Sequence, residues 1–480
     1  MRRAWGEWAP DRAPIGLGSL RTATNVRPDG VSYEPMPAVT TVSDATDDRP
    51  RGIFSDRDIL NDVHTFVGDE SKLYELADDA WTDVSRAGGY TCSETDRWRF
   101  ARYGDRLLAT NFSDEIQYFD MTTSTDFDDL AGTPPKARYI AAYGDFVLIG
   151  NTAANANGVR WSGINDSEEW TIGTAQSDKQ DLPDGGAVTG LVVSDAAYIF
   201  QESKIRRMLY TGGGTIMQFD VVEQERGLIA PDSLCSLGRV HFYLSEDGFY
   251  LFDGVSSTQI GYDKVDATFR ADSDRDSYHR ISAAVDPINK LVGWLYPSKQ
   301  AIAAQPDTLL IYNWANQRWA KCTYTMELLS GIRSTGYTLE GLDALYSSID
   351  AMTISLDDPI WTGGAISWGG MSSDYKLATF SGSNLEATIE TDDFEISEGL
   401  IAFVDSCRPQ IDAAPYISIG TRMRSADTVA YSTESLVNVA GYAPQRALGR
   451  YSRVKMRVPA ATTWTKTQGF EMNWTQAGQR

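Results

Sequence analysis

The sequence predicts an all-β protein: a β-propeller-like domain of about six or seven blades, with an additional antiparallel β domain at the C-terminus. Three observations predict it. Short Val/Ile/Tyr/Phe/Leu-rich runs alternate with a period of two from about residue 50 to about residue 380, and Gly or Asp turns punctuate them. The strand-pair unit then recurs roughly every 35 to 50 residues, the spacing of radial blades, each of which buries both faces against its neighbours. A stacked pair of large sandwiches would give a similar texture.

In chain order, residues 1–45 carry several prolines and little periodicity, and read as an extended N-terminal arm that packs on something else. Residues 46–385 form the propeller. Its units cover 64–84, 99–120, 137–151, 187–210, 238–254 and 280–324, with a weaker one near 342–356. Their turns fall at Gly68-Asp69, Gly104-Asp105, Gly144-Asp145, Ser194-Asp195 and Asp247-Gly248, where Gly or Asp tolerates positive φ. The charged stretch 264–281 lacks strand alternation and predicts a helix between blades. Residues 386–480 form the C-terminal β domain, with longer alternating strands at 387–396, 408–425 and 450–458. In the last of these, Val454, Met456 and Val458 face one way and Arg453, Lys455 and Arg457 the other.

Composition narrows the function. With 43 Lys+Arg against 66 Asp+Glu the chain carries −23, which argues against gripping nucleic acid by phosphate neutralisation. Any DNA contact should be loose. The basic N-terminal stretch has no apolar core of the secretory kind, and no run approaches the roughly 20 apolar residues of a membrane helix, so a soluble protein made in the cytoplasm is expected. The four cysteines (Cys92, Cys235, Cys322, Cys407) form no CxxC pair and read as reduced, mostly buried thiols.

Chemistry-bearing patterns are weak. The three histidines (His64, His241, His279) stand apart from one another and from the cysteines. Asp272, Asp274 and Asp276 have the first spacing of a calcium loop, but Ser277 replaces the turn glycine and Ala283 stands where the bidentate Glu belongs, so a solvated helix start is the better reading. Gly212-Gly213-Gly214 has no following Lys-Ser/Thr and reads as a hairpin tip. Ser245-Glu246-Asp247-Gly248 departs from a sialidase Asp-box. No catalytic residue, cofactor or metal is expected, although among so many carboxylates a glycosidase-like pair stays open, and with it a glycan-binding or glycan-cleaving propeller acting on a host surface.

Several stretches carry a resemblance. The first is Asn25-Val26 through Pro28, Gly30, Tyr33 and Pro35. The second runs from Pro134 to Tyr139, then Gly144 to Val147, then Arg160-Trp161-Ser162 with Asp166 and Trp170, a hairpin in which Trp161 and Trp170 would stack as anchors while Ser162 and Asp166 turn the chain. The third runs from Gln224 through Gly227 to Pro231, leading into Asp247-Gly248 and Asp253-Gly254; the closing strands from Arg450 onward are the fourth. Their order over most of the chain resembles the tail-nozzle or tail-hub proteins of short-tailed bacteriophages, including the tail tubular B and packaged-DNA stabilisation types.

The resemblance implies a structural virion protein, not an enzyme. It would form a homo-hexameric ring in the virion tail, assembled in the host cytoplasm, below the portal and adaptor rings and in contact with tail fibre or spike and tail needle proteins. Such a ring continues the DNA channel, retains packaged double-stranded DNA and lets it pass without sequence-specific binding or membrane insertion. An acidic lining would repel DNA and let it slide. The local basic face of Arg446, Arg450, Arg453, Lys455 and Arg457 is the candidate contact to an acidic neighbour, the alternative being a solvated strand face.

Overall fold

Why the apolar runs in this chain are nearly continuous becomes clear from where the strands sit. The computed structural model describes residues 1–13, 18–77, 79–333, 348 and 366–478. Between residues 40 and 379 the described strands form seven antiparallel blades, five of them separate four-stranded sheets in simple chain order. Their first strands are Gly52–Arg57, Arg99–Tyr103, Ala137–Tyr143, Val188–Val193 and Cys235–Leu237 (blades I to V). Blade VI begins at Ser282–Asp286 and blade VII at Met326–Arg333. These first strands are innermost and lie against one another around an axis, and Met326–Arg333 against Gly52–Arg57 closes the ring. The weak unit expected near 342–356 lies, Ser348 apart, outside the described residues.

Each blade is sandwiched between two others, so both faces of its middle strands are buried. Phe146–Thr152 is buried along its whole length. Its Phe146 and Leu148 enter the layer shared with blade IV, and its Val147 and Ile149 the layer shared with blade II. In blade IV, Ala197 and Ile199 face blade III while Tyr198 and Phe200 face blade V. The period of two decides which neighbour a side chain meets. The helix expected between blades is present as Asp266–Asp272, followed by a 3-10 turn at Arg275–Arg280, and it separates blades V and VI.

Residues 1–45, read from sequence as an extended arm, supply strands to three different sheets. Thr40–Ala45 is the fourth strand of blade VII, pairing with Lys376–Thr379 (Ala45 opposite Lys376, Thr40 opposite Thr379). Val26–Asp29 and Ser32–Pro35 join the two long strands Thr467–Gly478 and Ile401–Ile411 and the edge strand Ala443–Gly449, with Arg2–Ala4 also on Thr467–Gly478. Leu20–Thr24 enters the facing sheet beside Ala387–Thr391, Tyr451–Val458 and Tyr416–Arg422. The two sheets pack as a sandwich around Ile417, Ile419, Val454, Met456, Val404, Phe470 and Met472.

The sandwich is welded to the propeller. Thr24 pairs in parallel with Lys321 of blade VI, which makes blade VI and half of the sandwich one continuous sheet. Asn25, at a left-handed φ of 58° that Asn tolerates, accepts from the Thr323 N–H at 2.9 Å and donates to the Glu386 carbonyl at 2.9 Å. Asp11 accepts from the N–H groups of Ala267 and Thr268 at 2.7 and 2.8 Å and so caps the inter-blade helix.

Leu148 tests the interblade layers, since it is fully buried between blades III and IV. Leu148→Ala should lower the unfolding free energy by about 2–5 kcal/mol, read from the shift of the urea midpoint at unchanged slope.

Candidate functional site

The seven innermost strands surround the axis, and residues just before or at the start of several of them meet there. The cavity between them has a volume of about 300 Å³ and is lined from every blade. Its walls are mixed, with Phe54, Phe100, Ile140, Leu191, Leu234 and Leu329 set among Ser236, Ser282 and Ser330. Its leading end is crowded with guanidiniums.

Arg99 donates to the Asp232 carboxylate at 2.9 Å and to the Arg138 carbonyl at 3.3 Å, and its guanidinium lies 4.6 Å from the centre of the Tyr139 ring. Arg97 shares the same carboxylate at 3.4 Å and donates to the His279 carbonyl at 3.0 Å. Arg138 pairs with Asp96, and Arg280 with Glu327 at 2.5 Å. Gln305 donates to the other Glu327 oxygen at 2.7 Å. Arg49 donates to the backbone carbonyl of Glu94 at 2.9 Å.

Burial acts on Arg97, Arg49, His279 and Asp96. It pulls the Arg97 guanidinium down to about 10 although Asp232 opposes it. It lowers Arg49, with Arg280 and Arg51 adding to the effect. It lowers His279, where Arg97, Arg280 and Arg49 act in the same direction, and it raises Asp96 against the pull of Arg138.

Sequence reasoning missed this cluster because its members come from separate blades. A signal was present nonetheless: Arg51-Gly52-Ile53, Arg97-Trp98-Arg99, Arg138-Tyr139-Ile140 and Arg280-Ile281-Ser282 place arginine at the start of four innermost strands.

The residues singled out from sequence hold turns and packing. Trp161 lies in the layer between blades III and IV and donates to the Gln176 carbonyl at 2.8 Å; Trp170 lies in the layer between blades II and III and donates to the Ser167 carbonyl at 2.8 Å. The expected stack of the two is therefore replaced by anchors on opposite faces of one blade. The Ser162 hydroxyl accepts from Val147 N–H at 3.0 Å and Asp166 accepts from Glu168 N–H at 2.9 Å. A side chain on Gly227 would meet the Gln201 carbonyl oxygen at 2.1 Å. Asp247 accepts from the Tyr250 hydroxyl at 2.6 Å, Gly248 has φ 144°, and Asp253 accepts from Val255 and Ser256 N–H groups ahead of Gly254 at φ 92°. Pro231 lines the axial cavity itself and opens the 3-10 turn Pro231–Ser233 that presents Asp232.

The C-terminal basic face is mostly satisfied within the chain. Arg453 pairs with buried Asp393 and with Glu390 at 3.4 Å, and Arg457 pairs with Glu434 at 2.8 Å and Glu386 at 3.1 Å while lying 4.7 Å from the Tyr416 ring centre. Lys455 stands 6.0 Å from the Tyr431 ring centre and Arg450 is half-buried. Arg446 is exposed, on the outward face of an edge strand beside exposed Leu448.

The calcium-like aspartates are engaged elsewhere. Asp272 accepts from the Tyr296 hydroxyl and the Lys321 ammonium, and Asp274 caps the 3-10 turn by accepting from Ser277. Among the described residues no three His, Cys, Asp or Glu side chains are grouped to hold a metal ion.

No family model and no curated protein matches the chain. Solved structures similar to it include YCF48 bound to D1 peptide (12% identity, 60% of this chain and 86% of that chain, TM-score 0.36) and the Neurospora crassa Pan2 WD40 domain (9%, 61% and 89%, 0.38). A chain of the mitotic checkpoint complex is also similar (8%, 73% and 95%, 0.40). The chain's own sheet topology makes it a β-propeller.

His241 gives this geometry a pH signature. It is fully buried, 2.8 Å from the Ser236 hydroxyl and 3.2 Å from that of Ser194, and burial lowers its pKa to about 4. Between about pH 6.5 and 4 the unfolded chain binds a proton here that the folded chain does not, so stability falls on acidification through that window. Relative to His241→Asn, the native chain should lose on the order of 3 kcal/mol more over this window, measured by urea unfolding at each pH.

Proposed function

We propose that this chain is the ring-forming nozzle or hub subunit of a short-tailed phage tail, acting as a structural element of the virion and not as a catalyst. The observation that carries the reading is the welding of the propeller to a sandwich built from both ends of the chain, through Thr24, Asn25 and the blade-closing strand Thr40–Ala45. It joins the ordered resemblance already described. A component that holds DNA under load needs domains that do not hinge, and a continuous sheet transmits force without one.

Two further features support it. The axial cavity of about 300 Å³ is far too small for a duplex whose major groove alone is about 12 Å wide. DNA would therefore run between subunits, through a channel bounded by several copies, each contributing its −23. The three carboxylates at the axis, Asp96, Asp232 and Glu327, are each held by guanidiniums, which disfavours them as the free acid and base of a glycan-cleaving propeller. In the assembled tail the ring would sit below the portal and adaptor, contact fibre or spike and needle proteins, retain the packaged genome and allow its ejection.

Native mass spectrometry and cryo-electron microscopy of the chain, alone and with purified phage connector, test the reading. Six-fold rings, alone or capping the connector, are expected; a monomer that ignores the connector would overturn it and favour the glycan-binding alternative. Arg446→Glu should reduce the ring or connector-bound fraction while leaving the unfolding midpoint of the isolated chain in place. Arg453→Glu should instead destabilise the fold by about 3–5 kcal/mol, since it sets a third carboxylate beside buried Asp393 and Glu390 and leaves Arg422 as the cation paired with Asp393.

A further inference from the structure

We infer that the axial cavity is a binding site for a small organic anion, whose carboxylate or phosphate group is held by Arg97 and Arg49 and whose apolar body lies between the innermost strands. The first ground is charge. Two guanidiniums, Arg97 and Arg99, line the axial cavity together with the one carboxylate that they share, Asp232, and Arg97 also lines the adjoining recess beside Arg49. In that recess Arg49 and Arg51 stand with Glu94, Asp96 and Glu327, where Arg51 pairs with Glu70, Arg138 with Asp96 and Arg280 with Glu327. A purely structural ion-pair network tends to balance its charges, because an unmatched buried charge is costly. In the axial cavity itself two guanidiniums share a single carboxylate.

The second ground is geometry. Arg97 and Arg99 share one carboxylate, and Arg97 is nine-tenths buried with its Nε spent on the His279 carbonyl, so the outer edge of its guanidinium fork is the part left to face a ligand. Arg97 borders both the axial cavity and the small recess lined by Arg49, His279 and Glu327. A planar fork of this kind matches the two oxygens of a carboxylate or phosphate.

The third ground is the shaft. The apolar side chains in its walls, among them the Phe54 and Phe100 rings 5.8 Å apart, suit a hydrocarbon or aryl body, and about 300 Å³ lies at the small end of ligand pockets. A bare inorganic ion would leave this part of the cavity unused.

The test is isothermal titration of the isolated full-length chain with phenyl phosphate, benzoate and the neutral isostere benzyl alcohol, so it does not depend on ring assembly. Saturable one-site binding of at least one anion is expected, with benzyl alcohol weaker by about tenfold or more, and the tighter of the two anions identifies the head group. Arg97→Gln should weaken the anion by a similar factor. Arg49→Gln, whose native side chain holds only a backbone carbonyl, supplies the same reading should the first variant fail to fold. Benzyl alcohol binding as tightly as the anions, an Arg49→Gln chain with unchanged affinity, or no saturable heat from either anion would overturn the proposal.

Discussion

A four-stranded sheet with two apolar faces cannot stand alone in water, and a row of such sheets always leaves two faces uncovered. Closing the row into a circle removes both. In this chain the closing contact is between blades VII and I, where Val67 and Ile53 meet Leu328, Ile332, Met371 and Leu377. The circle depends on blade VII being complete, and its outermost strand comes from the far end of the sequence as Thr40–Ala45. That pairing ties the two ends of the propeller together, so no blade can open outward without breaking it. The same segment has already passed through both sheets of the sandwich before it reaches blade VII. One stretch of some forty residues therefore fixes propeller closure, sandwich assembly and the orientation of the two.

The junction between blades V and VI is aromatic. Phe249, Trp294 and Trp319 lie with ring centres 4.8, 5.4 and 5.7 Å apart, and Tyr312 lies 4.7 Å from Trp319. Each indole N–H there has a partner, Trp294 on the Ser233 carbonyl and Trp319 on the Ile260 carbonyl. Large rings bury much area, and their N–H groups fix orientation through specific hydrogen bonds. Ser233 belongs to the turn that carries Asp232, so the packing of this junction also positions the carboxylate shared by Arg97 and Arg99.

What the sequence made legible follows from the range of the interactions. Hairpins are local, so the strand alternation, the Gly104, Gly144 and Gly248 turns and the inter-blade helix could be read directly. So could the two faces of Tyr451–Val458, where Val454, Met456 and Val458 are buried. The role of residues 1–45 could not, because strands of three to six residues broken by Gly and Pro show no period and, apart from the hairpin of Val26–Asp29 with Ser32–Pro35, gain their partners hundreds of residues away. The basic face failed for the same reason. Arg453 and Arg457 do point away from the apolar side, but Asp393, Glu390, Glu386 and Glu434 sit on or beside neighbouring strands that a single strand's pattern does not reveal. Trp161 and Trp170 were placed on the correct blade, yet which interblade layer each enters depends on a turn between them.

The axis illustrates how closure creates chemistry that no segment contains. Arginine at the start of one innermost strand is an ordinary polar flank; repeated in four blades of a ring, it becomes a cluster at a single point. Its charge is opposite to that of the whole molecule, and the two act over different ranges. Surface carboxylates are screened by salt within about 8 Å, whereas guanidiniums at the buried mouth of a narrow cavity are screened much less. An anion near the surface would thus meet a repulsive but shallow field, and one that entered the axis a strong local attraction. That contrast selects for ligands small enough to enter and excludes a polyanion such as duplex DNA, which can feel only the exterior.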